Sequence, residues 1–221
     1  MVQISHLKKS FLNPADNQRI TILDIPEFKL ESGQHLGLRG TSGSGKTTLL
    51  HTIAGMVKPD SGSVTILNQD ITKLGESQRD RFRANHIGYI FQSFNLLEGF
   101  TALENVMLGM IFADKGARKE YASELLDKTG LGDRLHYKPA QLSVGQQQRV
   151  CVARAIANNP ELILADEPTG SLDAKTSSEI LDLIFSVAEG RSLLLVSHEP
   201  EVLATFSTTM DLREINKAIA S

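Results

Sequence analysis

Residues 40–47 read Gly-Thr-Ser-Gly-Ser-Gly-Lys-Thr, which is the spacing G-x-x-x-x-G-K-[ST] of a phosphate-binding loop. Gly40, Gly43 and Gly45 let the backbone curl so that successive N–H groups point at anionic oxygens. Ser42, Ser44 and Thr48 complete the set of residues expected against a nucleotide. Lys46 supplies a point charge for the β- and γ-phosphates, and Thr47 a hydroxyl for Mg²⁺. Downstream, Leu162-Ile-Leu-Ala-Asp166-Glu167 is an apolar run that ends in two carboxylates. Two acids at a strand end are common in α/β folds. After a phosphate loop they gain roles: Asp166 to hold Mg²⁺ through its water shell, Glu167 to orient or deprotonate an attacking water. His198 follows a second apolar run, Ser192–Ser197. It could be a structural hydrogen-bonder. It does not open a zinc-protease helix, because position 202 is Val202 rather than a second histidine.

These groups need elements to carry them. Gln34–Arg39 can be a short strand feeding the phosphate loop, and the run from Thr48 can start a helix whose N-terminus faces the anion. Runs near Val2–Leu7, Ile20–Ile25, Ser63–Leu67 and His86–Phe91 read as strands, punctuated by Gly33, Gly62 and Gly75. The continuous apolar runs Glu161–Asp166 and Ser192–Ser197 have the look of central parallel strands covered on both faces. Ser177–Ala188 has helical spacing and suits a crossover. From about Leu96 to Ala157 no run looks like a strand, so this stretch is expected to be a helical insertion in an α/β core.

The chain has 221 residues, 41% hydrophobic and 22% charged, enough for a sizeable core in one domain or one and a half. Its net charge of −3 gives no reason to expect broad nucleic-acid binding. The single cysteine, Cys151, lies in an apolar run and reads as a small buried hydrophobe in a reducing compartment. The start lacks a signal peptide's apolar block. No stretch approaches the roughly 20 apolar residues that span a bilayer, so a membrane role would need a partner to supply the membrane part.

Leu142-Ser143-Val144-Gly145-Gln146-Gln147-Gln148-Arg149 resembles the signature motif of the ATP-binding-cassette ATPases, usually Leu-Ser-Gly-Gly-Gln. Pro168–Asp173 is similar to that family's D-loop, Phe91-Gln92 to its Q-loop and His198 to its switch histidine, all in the family's order. The resemblance implies an α/β fold: a P-loop NTPase (RecA-like) core with an N-terminal antiparallel β subdomain and an inserted α-helical signature subdomain. It implies one domain over 1–221, with 1–91 and 158–221 as core and 92–157 as the helical part. It implies ATP and Mg²⁺ as cofactors, with Thr47, Gln92 and Asp166 toward the metal. Lys46, Gln92, Glu167 and His198 then take catalytic roles. Ser143, Gly145 and Gln146 serve the nucleotide of a second copy, and Asp173 couples the two sites. Phe11 fits the aromatic residue that stacks on adenine, although a surface phenylalanine can equally be packing. Val144 departs from the signature glycine, and its branched side chain restricts the backbone there. Glu199 stands where aspartate is more usual.

Ile90–Leu97, Thr101–Val106 and Ala165–Asp173 look most like the branch of lipoprotein-release, macrolide-export and cell-division ATPases, the LolD, MacB and FtsE types. That resemblance implies an integral-membrane permease partner of the FtsX, MacB or LolC kind, gripped at the cytoplasmic face of the inner membrane through the helical insertion. It adds a periplasmic adaptor and no nucleic acid. Two readings stay open: a transport engine for export or lipoprotein extraction, and a regulatory ATPase that signals across the membrane. A soluble ATPase acting on DNA or ribosomes fits less well, since one set of motifs and no coiled coil are present. A GTPase lacks its Asn-Lys-x-Asp.

Overall fold

In the computed structural model, which describes residues 1–219, the strands are β1 (Val2–Leu12), β2 (Arg19–Leu30), β3 (His35–Arg39), β4 (Ser61–Ile66), β5 (Gln69–Asp70), β6 (Ile87–Ile90), β7 (Leu162–Asp166), β8 (Ser192–Ser197) and β9 (Thr209–Asp211). The α-helices are α1 (Lys46–Ile53), α2 (Glu76–His86), α3 (Ala102–Leu108), α4 (Lys119–Lys128), α5 (Val144–Ala155), α6 (Ala174–Ala188), α7 (Pro200–Leu203) and α8 (Leu212–Ile215). The chain divides into two compact units, Met1–Arg79 with the segment from Ser192 on, and Asp80–Arg191.

In the first unit, alternation builds an antiparallel sheet of order β2-β1-β4-β5. Val2 and Ile4 of β1 point into the core with Leu23 and Ile25 of β2, while the residues between them face out. Both strands run further than the expected 2–7 and 20–25. The signal at Ile25 stops at Pro26, which has no N–H for a ladder. It is tolerated because β2 is the sheet edge. Between the Ser5–Glu27 and Leu7–Ile25 pairs, Pro26 faces His6, which turns to φ 50. The same unit holds three parallel strands. β3 pairs with β8 from His35–Leu193 to Arg39–Ser197, and with β9 on its other side. That register places Gly40 and His198, the residues that follow Arg39 and Ser197, at neighbouring strand ends.

In the second unit β6 pairs with β7 in parallel, from Ile87–Leu162 to Ile90–Ala165. Phe91-Gln92 and Asp166-Glu167 therefore leave adjacent strands at the same end. Gly88 is required by space: a Cβ there would lie 2.4 Å from the Ala155 carbonyl oxygen at the end of α5. Among the described residues no strand occurs between Ile90 and Leu162. The segment ahead of α3 is held by buried Asn105, which donates to the carbonyls of Leu97, Phe100 and Thr101 and accepts from the Leu97 N–H. A Thr101–Glu104 capping box starts α3. The helix α2 had no clear sequence signal, and the reason is physical: it buries no residue, so it has no apolar stripe to read.

Candidate functional site

The phosphate loop leaves β3 and winds around its own lysine. The Lys46 ammonium, 5% exposed, donates to the carbonyls of Gly40 at 2.8 Å and Thr41 at 2.9 Å. Gly43 and Gly45 take φ of 76 and 95, where a side chain would be strained. A Cβ at Gly40 would sit 2.7 Å from the Ser44 hydroxyl. That hydroxyl is buried and, among the described residues, has no hydrogen-bond partner. The first turn of α1 carries no side-chain cap and no acid, so its N–H groups are left for an anion. Thr47 and Ser42 are exposed. An unsatisfied hydroxyl, uncapped N–H groups and a held ammonium fit a polyphosphate.

His198 follows β8 in the same unit and is exposed. In the other unit Asp166, 4% exposed, closes β7, and Glu167 follows in a left-handed backbone with φ 42. A non-glycine residue held there is strained, as residues at functional positions often are. The hydroxyl of Tyr89, on the neighbouring strand β6, lies 3.5 Å from Asp166 Oδ2. Burial and the Asp166 charge raise the Tyr89 pKa well above its ordinary range, so the phenol stays protonated and is the donor toward the Asp166 carboxylate. Motif reading missed Tyr89, because its role follows from the β6–β7 register and not from a contiguous pattern. Among the described residues no group of three His, Cys, Asp or Glu side chains could enclose a metal. The Gln92 amide and the Asp166 carboxylate in this unit, and the Thr47 hydroxyl in the other, are each oxygen donors of the kind a hard cation takes.

The signature motif forms the start of α5. The Ser143 hydroxyl accepts from the Gln146 N–H at 3.3 Å, and the Gln146 side chain accepts from the Ser143 N–H at 3.0 Å. This capping box leaves Ser143 on the surface. Val144 is the first helical residue, 44% exposed, and is not among the residues with positive φ. The backbone freedom of the usual glycine is therefore not needed here, and the restriction expected of a branched residue falls on a conformation it adopts readily. Asp173 caps α6, accepting from the Thr176 N–H at 3.1 Å and the Thr176 hydroxyl at 2.6 Å. These hydrogen bonds, the hydroxyl's first, hold its carboxyl below the usual range.

Gln92 is exposed, and the segment after it is clamped. Arg154 of α5 donates to the carbonyls of Asn95 and Phe94, both at 2.6 Å, and Cys151 reaches the Phe94 carbonyl at 3.2 Å. Phe94 and Asn95 take φ of 25 and 51, so the guanidinium holds a strained turn. Nothing in the sequence marks Arg154 for this role, since it lies 60 residues from Phe94. Cys151 is buried, as expected. Phe11 is 43% exposed near the end of β1, with the Lys9 ammonium 5.1 Å from its ring centroid. Among the described residues no helix is long and apolar enough to cross a membrane.

Residues 23–170 match the family described as ABC transporter. An uncharacterised ABC transporter ATP-binding protein of Thermotoga maritima is 47% identical over 206 residues, which cover 87% of this chain and 88% of the relative. The lipoprotein-releasing system ATP-binding protein LolD of Syntrophus aciditrophicus is 39% identical over 218 residues, 97% of each chain. The solved dimeric structure of an ATP-binding cassette in a post-hydrolysis state, bound to ADP and Pi, is 37% identical with a TM-score of 0.88, covering 96% of this chain and 94% of its own.

Proposed function

The chain belongs to the ABC transporter family as an ATP-binding subunit and ATPase, and from that premise we propose that two copies close on two ATP molecules to drive a membrane permease of the LolD or MacB type. The observation that carries this is the pairing of two unlike helix N-termini in one chain. One is an uncapped loop around Lys46; the other is a self-capped, exposed turn at Ser143.

In this reading Lys46 and the loop residues Gly40, Ser42, Gly43, Ser44, Gly45, Thr47 and Thr48 hold the triphosphate, and Phe11 stacks on adenine. Thr47, Gln92 and Asp166 would hold Mg²⁺, which neutralises charge on the phosphates when bound. Glu167 takes a proton from water as the water oxygen bonds the γ-phosphorus. The bond from that phosphorus to the ADP oxygen breaks, giving ADP and phosphate. His198 steadies the γ-phosphate. Ser143, Gly145 and Gln146 contact the nucleotide of the second copy, and Asp173 relays between sites. Loss of the γ-phosphate removes those contacts and opens the dimer.

The helical stretch 92–157 serves as a subdomain within one ATPase domain, with 1–91 and 158–221 as its core (positions 220 and 221 lie outside the described residues). The permease docks there, its cargo exported or extracted as lipoprotein, with a periplasmic adaptor beyond it. The 39% identity to LolD over 97% of the chain supports that class of partner. Affinity capture of the tagged chain from solubilised membranes should recover one integral-membrane permease with an outer domain and raise ATP turnover on its addition. Recovery of no membrane protein would overturn the assignment.

A further inference from the structure

Gly145 of the signature turn has no conformational need to be glycine. It is the second residue of α5 and is not among the glycines with positive φ. What it lacks is space. A Cβ there would lie 2.6 Å from Cγ2 of Thr176, the third residue of α6. A threonine methyl at the end of a loose side chain could swing away, and this one cannot. The Thr176 hydroxyl is bonded to Asp173 Oδ2 at 2.6 Å, and its N–H to Asp173 Oδ1 at 3.1 Å. A β-branched side chain whose hydroxyl is fixed has its methyl fixed as well. One turn further along each helix, Arg149 bonds Glu179 at 3.1 Å and keeps α5 on α6. Thr176 therefore touches two motifs with its two γ-atoms: oxygen to Asp173, carbon toward Gly145.

We propose that Thr176 is a positioning residue that locks the signature turn to the Asp173 turn, so that a displacement of either by the second copy is passed to the other within one chain. Asp173 moves Thr176 through the short hydroxyl bond, and Thr176 moves α5 by steric contact, because interdigitated atoms transmit displacement without slack. The inference rests on the closure of two copies proposed above and adds a residue outside its motifs.

The test uses the full chain in a Glu167→Gln background, where ATP is retained. A methylanthraniloyl ATP probe reads nucleotide affinity at protein concentrations that keep single chains, and sedimentation reads the dimer formed with Mg·ATP. Thr176→Val keeps the methyl and deletes the hydroxyl. Gly145→Ala adds the clashing Cβ. Combining Gly145→Ala with Thr176→Ser removes the methyl it would strike while keeping the cap. Thr176→Val should bind the probe within about twofold of the parent. Thr176→Val should weaken dimerisation about tenfold, an ordinary size for coupling between sites. Gly145→Ala should weaken it at least as much, and the added Thr176→Ser should restore most of the loss. Dimerisation of Thr176→Val at the parent's ATP concentration, or a double variant no better than Gly145→Ala alone, would overturn the coupling. If Thr176→Val fails to fold, the Gly145–Thr176 pair decides by itself. Failure of the parent to dimerise would count against the closure itself, which keeps the two claims apart.

Discussion

The loop before α1 and the turn before α5 both end at a helix N-terminus, and they treat it in opposite ways. Ahead of α1 no side chain caps the helix, glycines hold the turn open, and a buried lysine lies inside it. Ahead of α5 a Ser143–Gln146 box satisfies the helix, and the serine lies on the surface. The first arrangement is unfinished without an anion. The second is complete in the single chain, and what it has to offer is an outward hydroxyl on a positive helix end. In the proposed closure the first binds the nucleotide of its own chain and the second completes the site of a neighbouring copy.

The contrast can be broken or sharpened in several ways. The largest effect should come from Glu167→Gln: ATP turnover falls about 10³-fold, the range of a lost general base, while ATP binding persists. A single-turnover assay with a parallel filter-binding measurement checks both. Next, Lys46→Ala should weaken ATP binding by single chains about a hundredfold, since a hydrogen bond to a charged group contributes ~1.5–3 kcal/mol. The methylanthraniloyl probe reads it directly, and unchanged affinity would erase the difference between the two loops. Ser143→Ala and Ser143→Gly separate capping from ligand contact. The alanine form should lose about 1 kcal/mol of stability and the glycine form only a few tenths. Both should lose ATP-driven dimerisation equally, and a glycine form that dimerises would make the serine a mere cap.

Smaller effects follow. Tyr89→Phe, which removes the hydroxyl 3.5 Å from Asp166, should raise the half-saturating Mg²⁺ concentration for probe binding by a few-fold and leave the melting temperature nearly unchanged. Cys151 should be silent to Ellman's reagent until the chain is denatured, because burial pushes its thiol from 9.0 up to about 12. The sign for stability follows. Between those values the unfolded chain has lost the proton that the native chain keeps, so rising pH there favours unfolding.

Much of the site was legible as contiguous pattern. The phosphate loop, the Asp166-Glu167 strand end and the signature each place their chemistry within eight residues, because a tight turn or a strand end needs its residues adjacent. Three groups were not legible. Tyr89 reaches Asp166 through a parallel pairing across 77 positions, and Arg154 reaches Phe94 across 60. Thr176 is close in sequence to Asp173, yet its second contact, to Gly145, depends on how α5 packs on α6. Among the elements, β2 outran its signal because an edge strand accepts Pro26, and α2 gave none because no face of it is buried. Gly145 shows the limit best: the sequence marks it as glycine, and only the packing says that the reason is space.

The claim on which the rest depends is that ATP binds one chain through Lys46 and is finished by Ser143 of another. Sedimentation of the Glu167→Gln chain with saturating Mg·ATP tests it most directly, beside the same chain carrying Ser143→Ala. The mass of the first should double with two nucleotides held per pair, while the second binds the probe equally well and stays single. A parent that remains single at saturating ATP, or a serine variant that pairs as readily, would contradict it.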